Sequence, residues 1–304
     1  MENLNYSTTQ QPGSSEGNTL IIDGDSIAWM IGWHHREHRE VELMHGALDT
    51  WMREFLTLSS AKSYLGILGP SYSGQCFRYH IYKFKPYKGN RAGKEETNEM
   101  EWIRFWEPVV REHLMTKWKF LQAPAHLETD DVVAMVAMGL MYEEATIPVI
   151  CSPDKDLRQI PGLHLNYKPA RKKAEEEGQG LTSADLVIQK VTSTEAKYNW
   201  CMQMLMGDSA DNIAGIPGMG EKKAAELLKS VDEIMWGTTV KRAYEKHFGP
   251  YYGPIIYAET EATVTMMTPE HPLWEKYGIA DLSVYRNGFQ DTEELKECTN
   301  LLEY

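Results

Sequence analysis

Cysteine is scarce: the 304 residues hold four, Cys76, Cys151, Cys201 and Cys298, scattered without a C-x-x-C pair. That spacing excludes the usual structural zinc signatures and fits a reducing compartment. Long apolar runs are missing as well. No stretch approaches the roughly 18 residues that a membrane helix requires, and the opening MENLNYSTTQQPGSSEGN is polar, unlike a secretory signal. Residues 1–18 read as a disordered tail, and the expected location is cytoplasmic. Positive charge is in deficit, since 31 Lys and Arg stand against 44 Asp and Glu, a net charge of -13. Phosphate recognition rests on Lys and Arg, so this sum argues against a nucleic-acid binder. Distribution matters more than the sum. A site built from metal-binding carboxylates carries its own negative charge, which cations neutralise, and local basic grooves can coexist with it.

With 42% hydrophobic and 11% aromatic residues, the chain can bury one large core or two modest ones. Short apolar runs that end in polar or acidic turns recur at TLIIDGD, SYLGILG and TIPVICSPDKD. Helical patterns, with apolar positions three and four apart, lie over residues 44–58, 130–144 and 195–206. This alternation predicts an α/β fold with a mostly parallel sheet. No internal repeat is visible. The biased segment KPARKKAEEEGQG, residues 168–180, reads as a solvated loop with opposing charge blocks.

Acids gather in four compact groups: Asp23 and Asp25 in LIIDGDSIAW, Glu128, Asp130 and Asp131 in HLETDD, Asp154 and Asp156 in CSPDKD, Asp208 and Asp211 in GDSADN. Asp-x-Asp at a strand end could present a phosphoryl nucleophile, as haloacid-dehalogenase-type phosphatases do, or metal ligands. Two residues apart in extended chain also means one face of the strand. Each group alone could be helix capping. Capping does not account for four such groups in one chain, two of them on apolar strand ends where charge is unfavourable without cations. Oxygen ligands without His or Cys suit Mg²⁺ or Mn²⁺. Two such ions, roughly 4 Å apart, form a clamp for in-line attack of water on a phosphodiester.

GDSADNIAGIPGMGEKKAAELL, residues 207–228, has the form of a helix-hairpin-helix. Gly215, Gly218 and Gly220 permit a tight turn, and Glu221 begins a helix whose N-terminal amides face a phosphate, with Lys222 and Lys223 adding charge. Joined to GDSADN, this run resembles the helix-three-turn-helix of the 5′ nuclease family. That family includes flap endonucleases, tailed-phage 5′→3′ exonucleases and the 5′-nuclease domain of bacterial DNA polymerase I. The resemblance covers most of residues 19–230 and keeps the family's order: Asp23, then Phe77 and Arg78, then YKGNR at residues 87–91, then ETDD, SPDKDL and GDSADN.

The resemblance implies a PIN-like 5′-nuclease fold with a helical arch over about residues 79–122. It implies a nuclease core over residues 19–205, and a hairpin region with C-terminal helices over residues 206–304. Carried over by position, Asp23, Glu128 and Asp130 hold a first Mg²⁺, Asp154, Asp156 and Asp208 a second, and Asp131 and Asp211 support them. Mn²⁺ can substitute, and a K⁺ ion at the hairpin belongs to the same expectation. Lys88 and Arg91 contact the scissile phosphate, with Arg78 a third candidate. The implied activity is structure-specific 5′→3′ exonuclease and flap endonuclease, by a two-metal mechanism, in replication or recombination. The implied partners are DNA with 5′ ends, flaps or nicks, and RNA in RNA-DNA hybrids. The protein is expected to act as a monomer, in a bacterial host cell if it is phage-encoded.

The residues of the basic stretch agree with this. Lys83, Lys85, Lys88, Arg91 and Lys94 interleave with Tyr82, Phe84 and Tyr87, a composition suited to a backbone groove with stacking surfaces. Beyond it, Trp102, Phe105, Trp106 and Trp118 read as a helical apolar face in the arch, interrupted by Pro108. One departure stands out. Where the family places an aspartate after its second core strand, this chain has Gly69, Pro70 and Ser71. Asp25 is the candidate to supply that oxygen. If nothing supplies it, the chain is a catalytically weakened junction-binding protein of the same fold. A phosphatase would hydrolyse p-nitrophenyl phosphate, but leaves YKGNR and the glycine hairpin without a purpose. After residue 230 the likeness fades, and the helical, Tyr-rich remainder is expected to pack beside the hairpin.

Overall fold

A computed structural model describes residues 18–34, 40–70, 75–91, 98–144, 146–167 and 188–292. The run TLIID forms β1 (Asn18–Asp23), whose Leu20, Ile21 and Ile22 are fully buried. Apolar residues on both faces suit a strand covered on both sides. Helices α1 (Gly24–His34) and α2 (Val41–Leu58) lead to β2 (Ala61–Leu68), which pairs with β1 in parallel. The short α3 (Arg78–Ile81) and the long α4 (Asn98–Thr116) lead to β3 (Leu121–Gln122), at the edge beside β2. Helix α5 (Thr129–Glu143) then delivers the chain to β4 (Val149–Cys151) on the other flank of β1. β5 (Gly162–Leu165) extends the sheet in parallel, and β6 (Ile188–Val191) closes it antiparallel, in the order β3-β2-β1-β4-β5-β6.

Side chains pointing to one face of β1, Leu20 and Ile22, pack with α1, α2 and α4, while Ile21 packs with α5 on the other. Three apolar runs thus become β1, β2 and β4, and the three expected helices become α2, α5 and α6 (Ser193–Met206). Beyond α6 come the hairpin strands β7 (Gly207–Asp208) and β8 (Ile213–Ala214), then α7 (Glu221–Lys229) and α8 (Trp236–Val264). Val240, Tyr244 and Val264 of α8 share a third core with Leu205, Ile216 and Leu228. The chain then returns to the sheet. Met266, Met267 and Tyr285 enter the α5 core, and β9 (Gln290–Asp291) pairs antiparallel with β2.

Part of the span expected to arch over the site is core. Trp106, Val110 and Leu114 of α4 are fully buried beside Ile31 and Met44. Pro108 lies inside α4 without ending it, the lost backbone bond being offset by apolar burial on both sides of it. Trp118 lies beyond α4, and its indole donates to Asp49 Oδ1 at 2.8 Å. The Trp102 side chain, Ser71, Lys94, residues 1–17 and the charged segment 168–180 fall outside the described residues.

Candidate active site

The sheet reverses its direction of growth between β1 and β4, and in parallel α/β sheets that crevice at the carboxyl ends of the strands is where ligands bind. Asp23 closes β1 there. Its Oδ2 accepts from Ser26 Oγ at 2.5 Å and from Ser152 Oγ, just past β4, at 2.8 Å. Burial, and secondarily the Asp25 carboxylate, push its pKa up to about 6.

The start of α5 enters from the second face. Glu128 is the N-cap and shares a capping box with Asp131. Its Oε1 takes the Lys88 ammonium, and its Oε2 accepts from the Tyr87 hydroxyl at 2.6 Å. Burial alone would raise its pKa, but Lys88 and Arg78 more than reverse that and hold it at about 2. Asp130 is shifted the other way, well above the usual range, by burial and by the carboxylates of Asp131, Glu128 and Asp154.

CSPDKD and GDSADN complete the cluster. Burial and the carboxylates of Asp154 and Asp208 push Asp156 up to about 7. Asp154 is raised too, by its enclosed surroundings and by Asp211 and Asp208. Asp208 is held down despite its burial, because Lys155 Nζ lies 2.7 Å from its Oδ2. Lys155 is a site residue that sequence reasoning missed, although it stands between the two acids of SPDKD.

YKGNR docks onto GDSADN across more than a hundred residues of sequence. The Lys88 amide donates to the Asp211 carbonyl at 2.8 Å, Asn90 Nδ2 to the Ser209 carbonyl at 2.6 Å, and Asn212 Nδ2 to the Pro86 carbonyl at 2.8 Å. Arg91 Nη2 lies 2.6 Å from Asp211 Oδ1, and the Tyr87 hydroxyl reaches Asp211 Oδ2 at 3.0 Å. Tyr87 therefore bridges two acid groups and is buried, as is Tyr82, so neither offers a stacking surface. Of the three rings in this stretch Phe84 alone is exposed, beside the exposed Lys83 and Lys85.

Three expected roles change. Arg78 is buried, and its guanidinium binds Asp131 twice, at 2.5 and 2.8 Å, with Nε donating to the Thr263 carbonyl at 2.8 Å. A side chain so enclosed does not meet a scissile phosphate. Asp131 is fully buried and also accepts from the Met267 amide at 3.1 Å, so it ties the C-terminal segment to α5. Asp25 does not share a strand face with Asp23, because the helix α1 starts at Gly24. Its Oδ1 accepts from Arg111 Nη1 at 3.0 Å and from the Gly69 amide at 3.1 Å, and its Oδ2 from Thr129 Oγ1 at 2.5 Å. A Cβ at Gly69 would lie 2.4 Å from Asp25 Oδ2. Asp25 thus fills the space where a side chain at position 69 would begin, and Arg111, missed in the sequence, neutralises it.

Asp23, Asp130 and Asp154 make no ion pair among the described residues. Asp23 and Asp130, withdrawn from water without a counter-charge, and the more exposed Asp154 offer only oxygen donors, which fit hard divalent cations. They do not form a closed cage as they lie: among the described residues no three acid, His or Cys side chains are grouped to hold an ion. Lys88, Arg91 and Lys155 stand in as internal counter-ions for Glu128, Asp211 and Asp208.

In the hairpin, Gly218 has a φ of 76°, and a Cβ at Gly215 would come within 2.1 Å of the Met206 backbone, so both positions require glycine. Gly220 caps α7 in extended conformation with open space around it and has no such requirement. Lys223 Nζ donates to the Gly218 carbonyl at 2.9 Å, and Lys222 is exposed. Gly218, Lys223, Arg242, Lys246 and His247 line one groove of about 540 Å³.

The raised Asp156 pKa makes stability depend on pH. An acid raised in the fold keeps its proton there after the unfolded chain has lost it. Its contribution is therefore most favourable near pH 4 and is lost as pH climbs through about 7. His164 and His271, held down to about 4 by burial, pull the opposite way below about 6.5. Comparison with Asp156→Asn isolates the acid. In EDTA, the variant should gain on the wild type by at most ~1.4 kcal/mol per pH unit as pH rises over that window, and no further above it. Urea melts across pH measure this, and a constant difference contradicts it.

No family model matches the chain. A 5′-3′ exonuclease of Buchnera aphidicola subsp. Baizongia pistaciae is 28% identical over 231 residues, 71% of this chain and 68% of that protein. A 5′-3′ exonuclease of Mycoplasma pneumoniae is 26% identical over 234 residues, 71% of this chain and 73% of its own length. DNA polymerase I of Bacillus subtilis is 30% identical over 157 residues, 50% of this chain, and the match spans only 16% of that polymerase. Among solved structures, a bacteriophage T5 flap endonuclease in a pseudo-enzyme-product complex with DNA and metal ions superposes with a TM-score of 0.52 at 18% identity, over 81% of this chain and 93% of that one. The T5 5′-exonuclease with bound divalent zinc ions gives 0.52 at 17% identity, over 82% and 94%. These structures share the fold, a mostly parallel sheet flanked by helices with a hairpin beyond it. With relatives of one kind in sequence and that fold in structure, the chain is similar to the 5′ nucleases.

Proposed function

We propose that the protein is a divalent-metal-dependent 5′ nuclease, a 5′→3′ exonuclease and flap endonuclease acting on DNA with 5′ ends, flaps or nicks. The observation that carries this is the docking of YKGNR onto GDSADN beside ETDD, which sets Lys88 against Glu128 and Asp211 and Arg91 against Asp211, acids of two of the four groups. Asp23, Glu128 and Asp130 on one side, and Asp154, Asp156 and Asp208 on the other, are the side chains to hold two Mg²⁺ or Mn²⁺ ions. Bound there, such ions supply an activated water and neutralise charge on the phosphate. Lys88 and Arg91 supply donors to the phosphate oxygens, where preorganised charge is worth most. Both now satisfy carboxylates, so they are positioned before substrate arrives. Asp211 and Tyr87 hold them there, and Asp131 holds α5. The groove at Gly218, Lys223 and Arg242 suits the phosphates of a duplex, with Lys222, Lys83 and Lys85 adding charge. RNA in RNA-DNA hybrids, K⁺ at the hairpin carbonyls, a monomeric state and a role in replication or recombination in the cytoplasm complete the proposal. Among the described residues no helix is long and apolar enough to cross a membrane.

A second reading rests on one observation. At the place of the missing aspartate the structure has Arg111 paired with Asp25, which lowers the negative charge available to a first ion. On that reading the protein binds junctions and cuts poorly. Labelled 5′-flap, nicked and blunt duplexes, incubated across Mg²⁺ and Mn²⁺ titrations with an EDTA control, separate the two. Cleavage that needs the metal supports the nuclease. Tight flap binding with no turnover at any metal concentration overturns it in favour of the second. Turnover of p-nitrophenyl phosphate alone would return the phosphatase.

A further inference from the structure

Helix α8 carries aromatic surface that the cores do not use. Its two arms meet at Gly249, whose φ of 84° breaks the helical path, and the second arm starts at Pro250, a residue suited to a first helical position. Gly253, Thr260 and Val264 turn inward and are buried. On the outer side Tyr251, Tyr252 and Ile255 are 72%, 62% and 51% exposed, and the two tyrosine rings meet edge to face at 5.0 Å. One exposed apolar side chain needs no explanation, but three within five residues do.

Tyr252, Ile255 and Glu259 recur at helical spacing along one face. At the Glu259 end that face meets the basic loop: the carboxylate accepts the backbone amides of Lys83 and Phe84, and the Phe84 ring meets Phe248 edge to face at 5.8 Å. The exposed Lys83, Phe84 and Lys85 therefore stand at the foot of the tyrosine stripe. Three residues further on, the same loop reaches Lys88 inside the acid cluster.

We propose that Tyr251, Tyr252 and Phe84, with Lys83 and Lys85, form a stacking platform for single-stranded nucleic acid. Under the nuclease reading, on which this rests, the occupant is the unpaired 5′ tail next to the cleaved junction. Paired bases hide their faces inside the duplex, whereas an unpaired strand offers both a π-face to each ring and a phosphate to each lysine. A protein partner fits less well, since lysine is depleted from the centres of protein interfaces.

Fluorescence anisotropy in EDTA, with duplexes with and without a 5′ single-stranded tail, tests it. The wild type should bind the tailed duplex more tightly. Tyr251→Ala with Tyr252→Ala should raise the tailed-duplex Kd by roughly 5- to 100-fold, as expected for lost stacking, with the blunt-duplex Kd unchanged. Phe84→Ala should do the same more weakly, and Tyr251→Phe with Tyr252→Phe, which keeps the rings, should bind as wild type. An alanine double variant that binds both duplexes as wild type does overturns the platform. So does one that loses both affinities alike, and so does a wild type with no preference for the tail. The nuclease reading fails separately, by absence of metal-dependent cleavage in the wild type, whatever the anisotropy shows.

Discussion

Asp154→Ala is expected to remove flap cleavage, by on the order of 10³-fold, while the metal-free protein melts no lower than the wild type. The loss follows from the several kcal/mol that metal ions contribute to phosphoryl transition states, each 1.36 kcal/mol being about tenfold in rate. The second half follows from what Asp154 does in the fold. It lies on an exposed loop, crowded by Asp211 and Asp208, and its pKa is raised. At neutral pH its charge is therefore a liability. The hydrogen bond its carboxylate accepts from the Asp156 amide, at 2.8 Å, is worth about 1 kcal/mol. The two terms oppose each other. The melting gain that Mg²⁺ gives the wild type should shrink in the variant, because ligand stabilisation follows site occupancy. Cleavage within tenfold of wild type would remove Asp154 from the metal-binding set.

Arg78→Met should cost about 3 to 5 kcal/mol of stability, the usual result of leaving one member of a buried ion pair alone. Asp131 would be left fully buried, with only the Met267 and Glu128 amides as donors. Replacing both partners, by Arg78→Met with Asp131→Leu, should recover much of the loss, since an apolar pair removes the stranded charge. Urea melts give these values. Assayed where each variant is fully folded, Arg78→Lys should cleave within a few-fold of wild type. A variant of wild-type stability that has lost its activity would instead make Arg78 a phosphate contact.

The strands nearest the site were legible because apolar runs ending in acids have few other uses, and LIID, GILG and PVIC became the three central strands. Helix α4 was read within the arch, and its second half carries a core signal of its own. Val110 and Leu114 continue Trp106 in steps of four, a buried stripe that attention to tryptophan alone obscures. β3 and β9, two residues each, have no periodicity to read. In the site, the acids could be found one group at a time. Their partners could not. That Arg78 takes Asp131, that Lys155 takes Asp208, and that Arg111 takes Asp25 depends on contacts between segments 53, 53 and 86 residues apart. Local pattern carries no information about which opposite charge arrives. Gly69 was noticed for the acid it lacks, yet its meaning lies in the Asp25 carboxylate above it.

The return of the C-terminal segment to the sheet sets an order of events during synthesis. Every recognisable motif has been translated by the end of α7, yet the Thr263 carbonyl and the Met267 amide that steady Arg78 and Asp131, and the β9 strand on β2, come later. Domains assemble as units while the chain leaves the ribosome. A nascent chain that has emerged only as far as the hairpin therefore has all its acids but not the clasp that orders the start of α5. The start of α5 is ordered only once the segment beyond α7 has emerged, so a chain halted at the hairpin carries the acids without the contacts that fix them.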